Sequence, residues 1–325
     1  MRPQVSVVIP TYRRPDLLRR CLDAVLAQRL PPEAFEVVVA DDGHDEATRE
    51  LVQRMAAAAP VTLRYLRPSR GRGPAVARNA GWRAAASPLI AFTDDDTVPD
   101  PGWLAAGLAA MGADPTLSAV CGRVRVPALD EPPTDHEQMT RGLERAEFVT
   151  ANAFVRRDAL CRIDGFDERF LRAWREDSDL QFRLAHEVGP VGRAPLAEVL
   201  HPVRPERWGV SLRQQRNAFF DALLYKKHPR LYRERIRPVP PWDYYAMVLF
   251  ASAAPVALLA GQALVAGALA AAWAVLVLRL AARRLAATAH TPAHVGEMLL
   301  TSALIPFLSV YWRLRGAWRF RVLFL

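Results

Sequence analysis

Leu89–Trp103 reads LIAFTDDDTVPDPGW, an apolar run that ends in three consecutive carboxylates, Asp94, Asp95 and Asp96, followed by a proline-rich turn. Leu89 to Phe92 read as a buried strand of a parallel sheet, and such sheets bind ligands just beyond the carboxyl ends of their strands. Three adjacent like charges repel one another unless a cation or solvent compensates. Hard oxygen ligands of this kind suit magnesium or manganese held together with a substrate's phosphates. The competing reading is an acidic surface turn, since aspartate is common in turns.

The preceding residues supply the rest of a sheet. Val5 to Ile9 form a β-branched run, Pro10 to Pro15 a turn, and Leu17, Leu18, Cys21, Leu22, Val25 and Leu26 recur at helical spacing, which makes a βα unit. A second unit follows, with strand FEVVVADDG and a helix from about Glu46 to Ala58, so Asp41 and Asp42 also sit where a strand ends. A third strand, VTLRYL, leads through RGRGPAVARNAGW into a helix carrying Arg78 and Asn79. This alternation predicts an α/β fold, doubly wound around a mainly parallel sheet with right-handed crossovers. Gly71 and Gly73 permit tight backbone approach, but the turn lacks the terminal Lys-Ser/Thr of a P-loop.

In these pieces the chain resembles the family 2 glycosyltransferases, whose nucleotide-sugar domain is of the GT-A type. The matching segments are VSVVIPTYRR, VVVADDG, GPAVARNAGW, FTDDDTVPDPGW, TANAFVRRDALCRIDGFDERF and WREDSDLQFRL, in the family's order over roughly the first 200 residues. The resemblance implies that Pro10, Thr11 and Tyr12 border the nucleotide base and ribose, and that Asp42 accepts a hydrogen bond from the base or ribose. It places the DxD motif on Asp94 and Asp96, with Asp95 between them: Asp96 ligating the metal that bridges the two phosphates, Asp94 bonding ribose or sugar and counted also as a possible ligand. Arg78 offers a planar, always charged group for a diphosphate or base; an ordinary helix-surface arginine is the alternative.

A second acidic cluster lies about eighty residues downstream, where Glu176, Asp177 and Asp179 open a helix. Acids in a first turn are favoured by any helix N-terminus. The resemblance implies more, because the family's ED motif falls on Glu176 and Asp177, with the aspartate as general base for the acceptor hydroxyl. Back-side attack on the anomeric carbon then inverts its configuration. Arg183, one turn on, can pair with Glu176 or Asp179. Asn152 heads an acceptor-side strand, Trp174 can stack on a sugar face or simply pack, and His201 can reach the metal or be a packed side chain. Trp208 and Arg213 to Arg216 read as a gate over the nucleotide or an interfacial helix. The QxxRW motif of processive synthases is absent, which favours addition of one sugar or a few.

The C-terminal third changes character. No charged residue occurs from Ala246 to Leu278, a length that overshoots one span and barely suffices for two. Arg233, Arg235 and Arg237 precede the run and Arg279, Arg283 and Arg284 follow it, so both ends favour one compartment and a hairpin breaking near Gly261 to Gly267. The stretch 295–315 carries Pro306, aromatic residues and nearby arginines, and reads as an interfacial helix or a third span. The expected division is a catalytic domain over 1–235 and a membrane-associated helical region over 240–325, with the hairpin at about 244–280. Buried core helices of a soluble protein are the alternative.

Net charge is +9, which suits an anionic membrane surface, a lipid-phosphate acceptor or nucleotide phosphates; no basic reading helix or RNA motif points to nucleic acid. Only two of the 43 basic residues are lysines, so single arginines carry little functional weight. Cys21, Cys121 and Cys161 lack metal spacing and suggest reduced thiols, and the first apolar run is too short for a signal peptide. The sequence therefore predicts an inverting, hexosyltransferase-type enzyme dependent on Mg2+ or Mn2+. It would use a nucleotide-diphosphate sugar, with UDP-sugars foremost, and a lipid-linked or envelope-glycan acceptor, on the cytoplasmic face of a cell membrane. The competing classes are a GT-A-like nucleotidyltransferase, whose glycine-rich first-strand signature is replaced here by IPTYRRPDLL, and a non-catalytic nucleotide-sugar-binding scaffold.

Overall fold

The computed structural model describes residues 2–127 and 132–325. They group into two compact units, one of residues 2–127 and 141–203, the other of 132–140 and 204–325.

The first unit is built on one eight-stranded sheet: β1 (Val5–Thr11), β2 (Phe35–Asp41), β3 (Thr62–Leu66), β4 (Leu89–Thr93), β5 (Val98–Pro99), β6 (Ala119–Arg125), β7 (Asn152–Arg156) and β8 (Val191–Leu200). Their spatial order is β3-β2-β1-β4-β7-β6-β8-β5. The first four run parallel, with β1 between β2 and β4; β7 enters antiparallel between β4 and β6, and β8 is parallel to β6. Every residue of β1, β2 and β4 is buried, as expected of strands covered by helices on both faces.

Local chemistry sets the helices. Pro15 opens helix Pro15–Leu26, where its missing N–H costs nothing, and Leu18, Cys21, Leu22 and Val25 form the buried stripe. Asp45 caps helix Glu46–Ala58 by accepting from the Thr48 backbone N–H at 3.0 Å. Helix Pro74–Ala84 starts after Gly73, whose φ of 105° is closed to other residues without strain. Cys21, Cys121 and Cys161 are free thiols, the first two buried.

The second unit contains three long apolar helices, Trp242–Leu259, Ala263–Leu285 and Pro292–Phe320, each long and apolar enough to cross a membrane. The first two are separated at Ala260–Gln262, with Gly261 at a φ of 76°. Residues 204–235, assigned to the catalytic domain on sequence grounds, pack within this unit: Phe219 meets Trp312 and Phe320, and Tyr225 and Tyr232 meet Phe324. Large aromatic side chains decide that grouping, because their burial outweighs the polar residues between them.

Candidate active site

The parallel strands end on one edge of the sheet, and the turns after β1, β2 and β4 carry the charged groups. The acidic turn is held from below. Thr97 donates its hydroxyl to the Asp94 carbonyl at 2.8 Å, the Cys21 thiol reaches the same oxygen at 3.3 Å, and Thr93 donates to the Ala151 carbonyl at 3.0 Å. Burial and the neighbouring aspartates push the Cys21 thiol far above its ordinary range, so it stays protonated.

The three aspartates differ sharply. Asp94 is partly exposed and accepts from Arg78 Nη2 at 2.7 Å. Burial raises its pKa, but the Arg78 charge and hydrogen bond, with His201 and Arg14 beyond, more than reverse this, and it lies below the usual carboxylate range. Asp95 is fully buried, accepts from the Thr11 hydroxyl at 2.7 Å and pairs with Arg14 at 2.9 Å. Its burial outweighs Arg14, and Asp96 adds repulsion, so its pKa rises to about 7. Asp96 lies 3.7 Å from both Arg14 Nη1 and His201 Nε2.

Asp94, Asp96 and His201 place one donor atom each within 4.8 Å of one another. His201 Nδ1 is buried with no hydrogen-bond partner, which a satisfied core histidine does not show. Two carboxylates and an imidazole make a donor set fitted to a divalent cation.

Arg78 links the two acidic clusters. Fully buried in helix Pro74–Ala84, it bonds Asp94 with one nitrogen and Glu176 with the other, at 3.1 Å, and lies over the Phe166 ring at 5.6 Å. The acids around it raise its pKa, against burial. Glu176 is buried and driven up to about 8, by desolvation first and by the Asp177 charge second, despite Arg78. Asp177 is partly exposed, and Thr150 donates to both its oxygens, the hydroxyl at 2.7 Å and the backbone N–H at 3.1 Å. Desolvation raises its pKa, against the lowering pull of Arg78 and Thr150. The helix that carries both acids follows Arg175, held at a φ of 73° with its guanidinium 4.6 Å above the Trp174 ring. Asp179 faces inward and pairs with Arg183 at 2.8 Å.

The other residues selected from the sequence have the following surroundings. Asn152 is buried in the core: its amide nitrogen donates to the Arg123 and Ala197 carbonyls and its amide oxygen accepts from the Trp103 indole. Pro10 and Thr11 are buried in β1, and the Thr11 hydroxyl is engaged with Asp95, while Tyr12 is nearly half exposed. Asp41 is a structural acceptor for the Gly43 and Asp45 amides and the Tyr65 hydroxyl. Asp42 accepts from the Gly73 amide at 2.6 Å, tying the second strand to the glycine-rich turn, with burial raising its pKa. Asn79 clamps Phe166 through its backbone N–H and carbonyl. Two groups absent from the sequence reading are Arg14, the counter-charge of the acidic turn, and Thr150, the support of Asp177. Arg14 stands in the IPTYRRP turn and was hidden by the abundance of arginine; Thr150 stands two residues before Asn152.

The model of glycosyl transferase family 2 matches residues 6–170, and that of glycosyl transferase family group 2 matches 89–286. The chain belongs to glycosyl transferase family 2. Among relatives of the family, it is 27% identical over 229 residues to glycosyltransferase AglE of Haloferax volcanii, covering 66% of this chain and 71% of that protein. It is 30% identical over 277 residues to validoxylamine A glucosyltransferase of Streptomyces hygroscopicus subsp. limoneus, covering 71% of this chain but only 58% of that one. Succinoglycan biosynthesis protein ExoO of Rhizobium meliloti is 31% identical over 199 residues, covering 58% of this chain and 53% of that protein. In fold, the chain superimposes with a TM-score of 0.62 on a mannosyltransferase from Pyrobaculum calidifontis solved with GDP-Man and Mn2+, covering 97% and 88% of the two chains at 24% identity. The mainly parallel sheet flanked by helices is thus the GT-A arrangement, followed by apolar C-terminal helices.

Proposed function

We propose that this family 2 glycosyltransferase moves one sugar, with inversion, from a nucleotide-diphosphate sugar to a hydroxyl of a glycan or lipid-linked acceptor at a membrane surface. The observation that carries the reading is the bridge Asp94–Arg78–Glu176, which draws residues far apart in the chain together. Asp94, Asp96 and His201 would hold Mn2+ or Mg2+. Bound there, the cation supplies Lewis-acid stabilisation of the leaving diphosphate. Tyr12, Asp42 and the turn beside Gly73 flank the nucleotide, and Trp174 lies at the acceptor side.

Asp177 acts as base. Thr150 fixes its orientation, and Arg78 nearby favours the ionised form. The acceptor hydroxyl gives its proton to Asp177 as its oxygen bonds to the anomeric carbon, and the bond from that carbon to the phosphate oxygen breaks, releasing the nucleoside diphosphate. Glu176 sits behind Arg78 and keeps the guanidinium aimed, without touching substrate. The catalytic domain lies on the cytoplasmic side, where nucleotide sugars are available, and the basic residues flanking the apolar hairpin favour that side.

Thermal-shift screening of UDP-sugars and GDP-mannose with Mn2+, repeated on Asp96→Ala and Asp177→Asn, tests this. One donor should stabilise the wild type and fail on Asp96→Ala. Asp177→Asn should keep the shift yet transfer no sugar. Equal loss of binding and transfer in Asp177→Asn would remove it as base.

A further inference from the structure

The helix Pro292–Phe320 has two faces of opposite meaning. On one side, Met298, Ser302, Ile305, Ser309, Arg313 and Gly316 are buried. On the other, Leu300, Leu304, Phe307, Tyr311, Leu314 and Trp318 recur at spacings of 4, 3, 4, 3 and 4. At 100° per residue these six fall within about 40° of one line, opposite the packed face. Phe307 is half-buried and the other five are exposed, Trp318 by 82%. A packed helix does not leave such a stripe bare without a partner.

The packed face decides what that partner is. Near one end of the helix, Glu297 accepts from the Gly209 amide at 2.7 Å. Toward the other, a Cβ at Gly316 would lie 2.5 Å from the Phe219 carbonyl, and Lys226 donates to the Phe320 carbonyl at 2.7 Å. The helix therefore runs along segment 209–227, which carries Arg213, Arg216, Lys226 and Lys227. Such a segment cannot enter hydrocarbon, where each charge is costly, so the helix lying against it cannot cross. The hairpin agrees. The hydrophobic cluster that includes Ala303 takes in Tyr244, Met247, Trp273, Leu276, Val277 and Leu280, at the base and middle of the hairpin, whereas Leu259 and Leu264 at its tip are 89% and 92% exposed. A third span would cover the tip as well.

We infer that Pro292–Phe320 lies in the plane of the bilayer surface, its back on segment 209–227 and its Leu300–Trp318 stripe sunk to the boundary of headgroups and acyl chains. The occupant of the stripe is an anionic phospholipid surface: Arg315 and Arg319 flank it, both exposed, and the apolar hairpin beside it continues into the same membrane. This rests on the membrane association proposed above and settles how the third helix takes part in it, as a float on the surface.

The test is a depth measurement on the full chain in phosphatidylcholine–phosphatidylglycerol vesicles. In a Cys161→Ser background, which leaves two buried thiols, nitroxide labels are placed singly through Leu304→Cys, Tyr311→Cys, Trp318→Cys and Val275→Cys, and depth is read from relative accessibility to oxygen and a water-soluble nickel complex. The three stripe labels should report one shallow depth and Val275 a deep one. A crossing helix would instead separate successive stripe labels by roughly 10 Å, at 1.5 Å per residue, and that gradient would overturn the inference. Spin–spin broadening with no lipid accessibility would assign the stripe to a second copy of the chain and also overturn it. A water-exposed Val275 label would reject the membrane association and the in-plane helix together, without touching the glycosyltransferase reading.

Discussion

Replacing Arg78 with methionine keeps a long unbranched side chain and deletes the one charge between Asp94 and Glu176, with Asp177 close by. The guanidinium is fully buried and its two ion pairs are 2.7 and 3.1 Å long. Removing one partner of a buried pair costs about 3–5 kcal/mol, because the remaining charges are left uncompensated. At about 2–4 °C per kcal/mol for a domain of this size, Tm should fall by roughly 6–20 °C. The deficit depends on pH, with a definite sign. Glu176 is raised to about 8 and Asp177 is raised even with Arg78 present, whereas Asp94 is held low by it, so loss of the cation lifts Asp94 out of its lowered range and pushes the other two further up. A carboxyl with a raised folded-state pKa contributes stability below its unfolded value, about 4.3 for glutamate, and loses it as pH climbs through the folded value. The gap between wild type and Arg78→Met should therefore be smallest near pH 5 and widen toward pH 8. Tryptophan fluorescence during thermal unfolding in detergent follows it, since Trp82 and Trp103 are buried in the same unit. A gap below about 1 kcal/mol, or one flat from pH 5 to 8, would refute the claim that Arg78 neutralises the acidic cluster.

Other outcomes are equally specific. Thr150→Val removes a charge-assisted hydrogen bond to Asp177, worth about 1.5–3 kcal/mol. It should cut kcat by about tenfold or more at neutral pH and move the acid limb of the rate profile to higher pH, with Thr150→Ser restoring both; an unmoved limb would exclude the role. His201→Ala should weaken Mn2+-dependent donor binding by at least about tenfold, as read by metal titration of the donor thermal shift, and an unchanged Mn2+ requirement would take His201 out of the ligand set. In Gly107→Ala, the new Cβ would meet the Phe154 ring at 2.1 Å, so stability should drop by about 1–3 kcal/mol with kcat intact well below Tm. A Tm equal to wild type would mean that the helix and ring separate freely.

The strands and helices of the first unit were legible because β-branched runs and helical spacing speak directly of burial. Leu89–Thr93 and the helix from Glu46 follow from their own residues. What the sequence could not convey was which way polar side chains turn. Asp94, Asp95 and Asp96 are chemically identical and adjacent, yet one bonds Arg78, one is locked to Thr11 and Arg14, and one faces His201. Asn152 resembled a ligand-binding amide until three partners from β6, β8 and helix Trp103–Ala113 closed around it. Arg78 was singled out for a diphosphate, while its contact with Glu176, 98 residues on, exists only through the fold. The relation between segment 209–227 and the last helix is of the same kind, since neither stretch alone announces its partner.

Asp95, the middle acid, has a mechanical consequence. By gripping Thr11 and Arg14 while Asp94 and Asp96 turn to other partners, it rivets the end of the first strand and the loop that leaves it to the loop that leaves the fourth. A molecule that pushes on the first loop therefore drags Asp94 and Asp96 with it, so under the proposed function contact with a nucleobase at Tyr12 and the shape of the cation's seat would change in a single movement.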